Sequence, residues 1–557
     1  MDMWKNIFFV AVTFLSPYFQ STAKTIHINP HEDVTTQFKC ENATYIISGS
    51  LDLNGMEIVI PKCSTLSIKK NALISNGQLK GNQTRLKPQK VPFLKNVILS
   101  GSFTNTKAYL SWWNVEDDIT EEVNSLFAVF DGTIFLNKSG RLSKTVLLIR
   151  KSNVIVDGCN NEFVLSHMPG TGIFAKENGK VEFKNMRIAF EGPYLLKNNS
   201  FVERCFRIQH GKSSTVCVHD ISFTGFRNDS DKPCSFCGID IVECNEGTQT
   251  YVYNVKVSNI AVVGDGIEST GPGSNYGIKV SCQTERSGKV EIHDCELESM
   301  CNYGSFGEMI FEDTSGIYLA GISAGSKGKQ ICSKWDALVK NCTFKDISKR
   351  NVKVQGDYVR IENLKSDCSV GFLPYHQNMY IGATGNHLYV RGLRGRYDGT
   401  IVKITGDYLE AKDIHCSSEL RDSEYARVFT LDGCTHEKIE NCTFNNDTYI
   451  FIYPTEKGFT EGTVPSYSIS NCDINVKHLI YCVSKQQKIY NEGILEVDNS
   501  CVNLGGTFCS NKQAMKEFVL RRTRLTAAQP ELIGRRKDGR SPVVTKTKSN
   551  IELVKRQ

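Results

Sequence analysis

The sequence predicts an all-β protein, a single-stranded right-handed parallel β-helix with an N-terminal β cap. A short apolar–variable–apolar strand recurs eleven times, with centres 22 to 39 residues apart. Between consecutive copies lies an alternating strand that ends in Asn or Asp, as at Asn185, Asn259 and Asn341. Because the strands stay alike while the spacing varies, loops of variable length join strands of constant register. The crossover rule for parallel strands predicts a right-handed coil.

Two other repeat architectures fit these observations less well. A β-propeller needs four antiparallel strands per blade and a more constant period. A leucine-rich solenoid also carries an asparagine ladder, but its leucine spacing is missing here.

The N-terminal segment, residues 1–23, has the features of a removed secretory signal. Its apolar stretch from Ile7 to Leu15 follows Lys5 and is too short to span a bilayer. Small residues at Ser21 and Ala23 suit a signal peptidase, and no cysteine follows directly to accept a lipid. We therefore expect a secreted or periplasmic protein without a lipobox or transmembrane segment.

The next segments are predicted as an N-terminal β cap with the first coils over 24–110 and an entry helix and strand over 111–144. Thr120 is a plausible N-cap of that helix. Val123, Leu126, Phe127 and Phe130 follow at helical spacing.

The β-helix itself is predicted over 145–510 and a basic tail over 511–557. From Lys512 onward the chain has 13 Lys and Arg against 4 Asp and Glu, a local charge of +9. The total is +6, so the first 511 residues carry about −3. A near-neutral body behind a secretory signal argues against nucleic-acid binding, and we interpret the tail as a solvated extension or end cap.

The strands and turns resemble the pectin-lyase-like superfamily of right-handed parallel β-helices, over residues 145–505. The beginning is more specific: LDLNGMEIVIPKCSTLSIKKNALISNGQLKGNQTRL, FLKNVILSGSF and LSWW resemble the N-terminal cap of secreted bacterial pectate-lyase-like proteins. DDITEEVNSLFAVFDGTIFL is similar to the entry helix and first strand of that superfamily. The resemblance implies a lyase, a hydrolase, an epimerase or a non-catalytic adhesin, because one fold hosts all of these.

The 21 cysteines are predicted to be mostly free, buried thiols. Cys295, Cys342, Cys442 and Cys472 each follow a turn residue directly, so stacking places them in one interior column. Some neighbouring pairs in that column are close enough to bridge. Cys234-Ser-Phe-Cys237 has metal-like spacing but no partner pair, so no metal site is predicted.

The central residues of the eleven strands should point outward and form one stripe. Aromatic faces stack on sugar rings, and Lys or Arg pairs with carboxylates or sulfates. A half-buried face covered by loops is the alternative. In chain order the stripe comprises Phe174, Arg207, Asp240, Lys279, Tyr318, Lys353, Tyr380, Lys403, Phe429, Phe451 and Tyr481.

The predicted catalytic centre lies where three copies are 39 residues apart. It combines Asp240, Lys279 and Tyr318 with Asp265 and Glu268 of an adjoining loop. Other loop acids should line the same edge, namely Asp229, Asp231, Glu308, Glu312 and Asp313. Substrate-binding positions are predicted at Arg207, Lys353, Tyr380 and Lys403. A second polar cluster, over 375–397, is the reserve candidate.

These residues favour a polysaccharide-active enzyme, first of all a glycoside hydrolase, acting as a monomer on an anionic or complex glycan. A hydrolase would use two carboxylates among Asp240, Asp265 and Glu268. A uronate lyase would use cations and a base, from Arg207, Lys279, Tyr318 and Lys353. A non-catalytic glycan binder is the third alternative. The motifs of polygalacturonases and calcium pectate lyases are not matched, so no family residue is carried over and no cofactor is firmly implied, although a lyase could use calcium.

Overall fold

A computed structural model describes most of the chain, in two compact units, Met1–Thr104 and Asn105–Gln557. The described residues are 24–88, 92–150, 153–166, 171–177, 179–191, 201–227, 234–264, 274–304, 314–322, 332–368, 379–418, 426–455, 464–481, 493–506, 516–527 and 543–553.

The first unit contains seven strands that pair in parallel. Its central strand is the longest and pairs with four of the others. The strands are β1 Thr25–Ile28, β2 Thr44–Ile47, β3 Leu51–Asp52, β4 Glu57–Val59, β5 Thr65–Ile68, β6 Ile74–Lys87 and β7 Leu94–Phe103. A short 3-10 helix, Val34–Thr36, lies between β1 and β2.

The second unit opens with strand β8 Lys107–Tyr109, a 3-10 turn at Leu110–Trp112 and the helix α1 Thr120–Val129. The helix is confirmed, with Val123, Leu126 and Phe127 buried. The predicted N-cap is wrong by one residue: Ile119 occupies that position and Thr120 is the first helical residue. Asp118 supplies the missing cap, since its Oδ1 accepts from the Thr120 backbone N–H at 3.1 Å.

Each coil then contributes strands to three faces, where the sequence predicted two strands and a turn. The first sheet carries the predicted stripe. Its strands are β11 Val146–Arg150, β13 Thr171–Glu177, β15 Phe201–His210, β17 Cys234–Val242, β19 Asn275–Ser281, β22 Thr314–Ala320, β25 Arg350–Gln355, β28 Met379–Thr384, β31 Thr400–Thr405 and β34 Arg427–Asp432.

The second sheet precedes the polar turn of each coil. After β8, its strands are β9 Gly132–Phe135, β12 Val154–Ser166, β14 Lys180–Glu191, β16 Thr215–Thr224, β18 Gln249–Gly264, β20 Arg286–His293, β23 Lys334–Lys340, β26 Asp357–Glu362, β29 His387–Arg391, β32 Tyr408–Lys412, β35 His436–Glu440, β37 Ser466–Ser470, β39 Ile494–Asp498, β41 Glu517–Arg521 and β43 Val543–Thr547.

The third sheet follows the turn. It begins at β10 Gly140–Leu142 and includes the C-terminal halves of β12, β14, β16 and β18. Its other strands are β21 Glu296–Gly304, β24 Thr343–Ile347, β27 Lys365–Cys368, β30 Arg394–Tyr397, β33 His415–Ser417, β36 Thr443–Thr455, β38 Asp473–Ile480, β40 Cys501–Leu504, β42 Arg524–Ala527 and β44 Asn550–Leu553. Strands β36 and β38 continue from this sheet into the first.

Because the register is constant, similar side chains of successive coils stack on one another in the interior. Ile239 pairs with Ile278, which pairs with Ile317, as predicted. All three are fully buried. Each such side chain contributes about 1.5–3 kcal/mol through burial, so the repeated column is a main source of stability for the stack.

The polar turn between the second and third sheets is a ladder of residues with positive φ. Asn185 has φ 55° and Asn341 has φ 54°, a conformation that Asn and Asp tolerate better than most residues. Neighbouring rungs bond, as where Asn441 Nδ2 donates to Asp413 Oδ1 at 3.1 Å. One predicted rung is wrong, because the sequence assigned Asn259 to the ladder position next to Asp220. Asn254 occupies that position and donates to Asp220 Oδ1, and Asn259 lies five residues further along the chain.

Four strands of the predicted basic tail extend the coil. β41 and β43 pair on the second sheet, and β42 and β44 pair on the third. Regular stacking therefore continues past residue 510.

Candidate functional site

The outward residues of the first sheet form a central column, and its middle matches the predicted stripe. Arg207, Asp240, Lys279, Tyr318 and Lys353 are direct partners on five successive strands. Neighbouring parallel strands lie about 4.8 Å apart. The column therefore presents alternating charge with one aromatic ring over about 19 Å.

Beyond Lys353 the residues predicted for the stripe do not all lie on the central column. Lys353 pairs with Gly382, and Gly382 pairs with Lys403. Lys403 is thus on the column as predicted. Tyr380 is not: it is fully buried and its ring stacks on Tyr397 at 5.5 Å. A substrate-binding role for Tyr380 is therefore wrong, because its side chain lies in the interior.

The same parity error affects the last strands. Phe429 and Phe451 are buried, and their rings meet edge to face at 5.4 Å. Thr430 and Tyr453 take the column positions. The sequence Ile450-Phe451-Ile452 is apolar throughout, so alternation gives no sign of which residue faces outward.

A second column, missed from the sequence, flanks the first. It lies three residues before the central column and includes Arg204, Cys237, Tyr276, Ser315 and Arg350. Tyr276 packs against Cys237 and Tyr318. Burial raises the pKa of the Cys237 thiol, so it remains protonated. The sequence did contain one sign of this column, because a glycine directly follows Cys237, Tyr276 and Ser315.

Gly277 has no room for a side chain, because neighbouring atoms lie close to its Cα. A Cβ on Gly277 would lie 2.4 Å from Leu297 Cδ2 and 2.7 Å from the Gly316 carbonyl oxygen. Tyr276, which precedes Gly277, lies beside the central column and packs against Tyr318. Arg204 of the same column precedes Cys205 and reaches Asp240, with Nε 2.9 Å from Oδ2.

Asp240 lies on the column as predicted, but it is buried, with 2% of its surface exposed. Arg204 binds one carboxylate oxygen, and Lys279 Nζ lies 3.9 Å from the other. The Asp240 carboxylate is therefore not the exposed group that an outward position on the stripe would give. Breaking a buried ion pair typically costs about 3–5 kcal/mol. Its catalytic role stays a prediction.

Lys279, Tyr318 and Lys353 form a compact group on three successive strands. Lys353 Nζ lies 4.3 Å from the centre of the Tyr318 ring, and Lys279 Nζ lies 5.9 Å from it. The Tyr318 hydroxyl donates to Gln355 Oε1 at 2.5 Å. Both ammonium groups make cation–π contacts with one ring, and together they offer positive charge to a bound anionic ligand.

The other predicted catalytic residues, Asp265 and Glu268, lie outside the described residues, as do the remaining loop acids predicted beside them. Within its described part, the central column holds a single carboxylate, that of Asp240. Asp432 lies two residues past the column, six strands from Asp240, and is 3.4 Å from Lys403 Nζ.

The reserve cluster over 375–397 does not converge. Tyr375 and His376 fall outside the described residues. His387 stacks on Tyr358 at 4.5 Å on the second sheet, while Tyr397 is buried beneath the third. Arg391 Nε binds Asp413 Oδ2 at 2.9 Å beside an open cleft of about 350 Å³.

The chain matches no family model and no curated protein. Among solved structures it is similar to a tailspike protein mutant of E. coli bacteriophage HK620 in complex with a hexasaccharide, at 12% identity over 80% of each chain, with a TM-score of 0.36. The tailspike in complex with a pentasaccharide is 10% identical over 95% of this chain and 78% of the other, with a TM-score of 0.24. A PL6 family alginate lyase, AlyGC, is 11% identical over 91% and 86%, with a TM-score of 0.19.

The parallel register of successive coils decides the architecture. The chain folds as a parallel β-helix, as the sequence predicted. Across the described residues of this β-helix and its N-terminal unit, no three His, Cys, Asp or Glu side chains are grouped to hold a metal ion. Within the same residues, no helix has the length and apolarity needed to cross a bilayer.

Proposed function

We propose that the β-helix binds an acidic polysaccharide along the first sheet and cleaves it by β-elimination. The observation that carries this proposal is the group of Lys279, Tyr318 and Lys353 on successive strands. This mechanism is the uronate-lyase alternative of the sequence analysis, which uses cations and a base. We further propose that the protein acts outside the cytoplasm after loss of residues 1–23.

Recognition follows from the alternation of cation and ring. Lys and Arg form charge-assisted hydrogen bonds with carboxylates and sulfates, and aromatic rings contribute apolar contact to sugar faces. From Arg207 to Lys403 the central column spans six steps, about 29 Å at about 4.8 Å each. That length accommodates an oligosaccharide lying along the coil axis.

The chemistry requires a neutralised carboxylate and one group that takes and returns a proton. Lys353 and Lys279 pair with the uronate carboxylate and so acidify the C5 proton. Tyr318, in its phenolate form, removes that proton. The C5–H electrons form the C4=C5 double bond, the C4–O bond breaks, and the departing oxygen takes a proton from the tyrosine. No water is consumed.

A paired-carboxylate hydrolase remains the second candidate. Asp240 favours it, because its Oδ1 has no hydrogen-bond partner within the described part of the chain. Arg204 Nε lies 2.9 Å from its other carboxylate oxygen, and Asp265 or Glu268 would have to supply the second carboxyl group.

A panel of acidic polysaccharides tests the proposal, with products read for unsaturated uronate absorbance and for new reducing ends. We expect both signals to rise together for the wild-type protein. Tyr318→Phe should lower turnover at least ~100-fold while leaving binding intact. The matched control is Tyr389→Phe, the same change on the second sheet, which should retain wild-type activity. Reducing ends without unsaturation would indicate the hydrolase, and binding without either product would indicate a non-catalytic binder.

A further inference from the structure

The central column has a gap two strands past Tyr318, where Gly382 provides no side chain. A hollow of about 120 Å³ opens there. Its polar lining comprises the side chains of Arg350, Lys353, Thr384, Lys403 and Thr405. None of the described residues that line it is acidic.

Glycine at this position allows an arginine to lie across the strand. A Cβ on Gly382 would sit 3.2 Å from both Cδ and Nε of Arg350 and 3.1 Å from Met379 Sδ. Those separations are tighter than ordinary van der Waals contact. Any larger side chain would therefore displace the Arg350 guanidinium and occupy the hollow.

The lining brings three cations to one small space from two strands, β25 and β31, which flank β28 on either side. Lys353 and Lys403 flank Gly382 on the central column, and Arg350 reaches over from the second column. Lys403 also contacts Asp432 at 3.4 Å, which orients its ammonium. Thr384 adds a hydroxyl donor at the far edge, whereas the Thr405 hydroxyl donates to Asp432 Oδ2 at 3.3 Å.

We propose that this hollow is an anion subsite, which receives a carboxylate or sulfate substituent of the glycan. The glycan part of this inference rests on the proposed function; the anion binding does not. The subsite lies two strands from Tyr318, about 10 Å along the axis. The preferred substrate therefore carries a second negative group that distance from the uronate being cleaved.

Titration calorimetry with inorganic sulfate and with acetate, at constant ionic strength, tests the subsite without any glycan. We expect saturable binding of at least one anion by the wild-type protein. Gly382→Leu and Arg350→Gln should each weaken it at least tenfold. Arg350→Gln keeps the proposal testable if the leucine variant does not fold. Arg360→Gln, which removes the same charge from the second sheet, is the matched control and should bind like wild type.

The outcomes separate this inference from the proposed function. Sulfate binding that survives in Tyr318→Phe but is lost in Arg350→Gln supports the subsite, even if no polysaccharide is cleaved. Tighter binding of sulfate than of acetate would indicate a sulfated glycan. Tighter binding of acetate than of sulfate would indicate a polyuronate. Absence of binding in the wild-type protein, or equal binding by Arg350→Gln and Arg360→Gln, would overturn it.

Discussion

Glu437 shows how a single residue departs from the interior pattern of its strand. It lies between Leu409 and Tyr467 in an inward column of the second sheet. Only 3% of its surface is exposed, and neither carboxyl oxygen has a hydrogen-bond partner among the described residues. Burial raises the pKa of Glu437 well above its ordinary value. The folded protein therefore keeps a neutral carboxyl group in its core.

That protonation gives stability a defined dependence on pH. Below the ordinary glutamate pKa, both the folded and unfolded chains bind the proton. As pH rises above it, the unfolded chain releases the proton while the folded chain holds it. The free energy of unfolding therefore falls by about 1.4 kcal/mol per pH unit until the folded pKa is reached.

Replacing this side chain by an apolar one of similar length should stabilise the protein. Glu437→Met removes an unsatisfied buried polar group, worth about 1–3 kcal/mol. The gain in the free energy of unfolding should be larger at about pH 8 than at about pH 5, as measured by denaturant titration. Glu410→Met, on the outward face of the neighbouring strand, is the control. An equal gain at both pH values would show that Glu437 is not held neutral.

At the scale of strands and turns, the cysteine column gives a second prediction. Cys295 and Cys342 are buried neighbours on successive coils, as are Cys442 and Cys472. The hydrogen bond that the Cys295 thiol donates to Cys342, together with burial, raises the pKa of Cys295. Burial limits access to all four thiols, and protonation slows the reaction of Cys295 further, so these cysteines should remain reduced.

Thiol titration of denatured, unreduced protein should find well over half of the 21 cysteines free. The same titration of native protein should find far fewer reactive thiols, because the described column is buried. Recovery of most cysteines as disulfides by mass spectrometry would contradict this. A cross-link confined to Cys295–Cys342 or Cys442–Cys472 would agree with their stacking.

Strand parity decides which site residues could be predicted. Gly-Ile-Asp-Ile at 238–241 alternates polar and apolar residues, so Asp240 is outward without ambiguity. Met379-Tyr380-Ile381 is apolar on either parity, and only the register with Val352 and Val402 resolves it. The second column was missed because its residues lie three positions before the central column, which breaks the two-residue period. Asp240's burial depends on Arg204, which the sequence separates from it by 36 residues.

At the scale of the whole molecule, repetition made the fold predictable. Each coil independently repeats the same inward Ile or Val, the same turn residue and the same parallel register. An error in one strand therefore left the architecture unchanged. The site had no such redundancy, because each outward position has to be assigned from its own strand, and Asp265 and Glu268 lie outside the described residues.

The central claim is that an acidic glycan lies along the first sheet between Lys279 and Lys403. A crystal structure of Tyr318→Phe soaked with an acidic oligosaccharide tests it most directly. The account predicts one anionic group beside Lys279 and Lys353 and another in the hollow at Gly382, with the sugar chain parallel to the coil axis. An oligosaccharide bound instead on the second or third sheet, for example in the cleft beside Arg391, would contradict it.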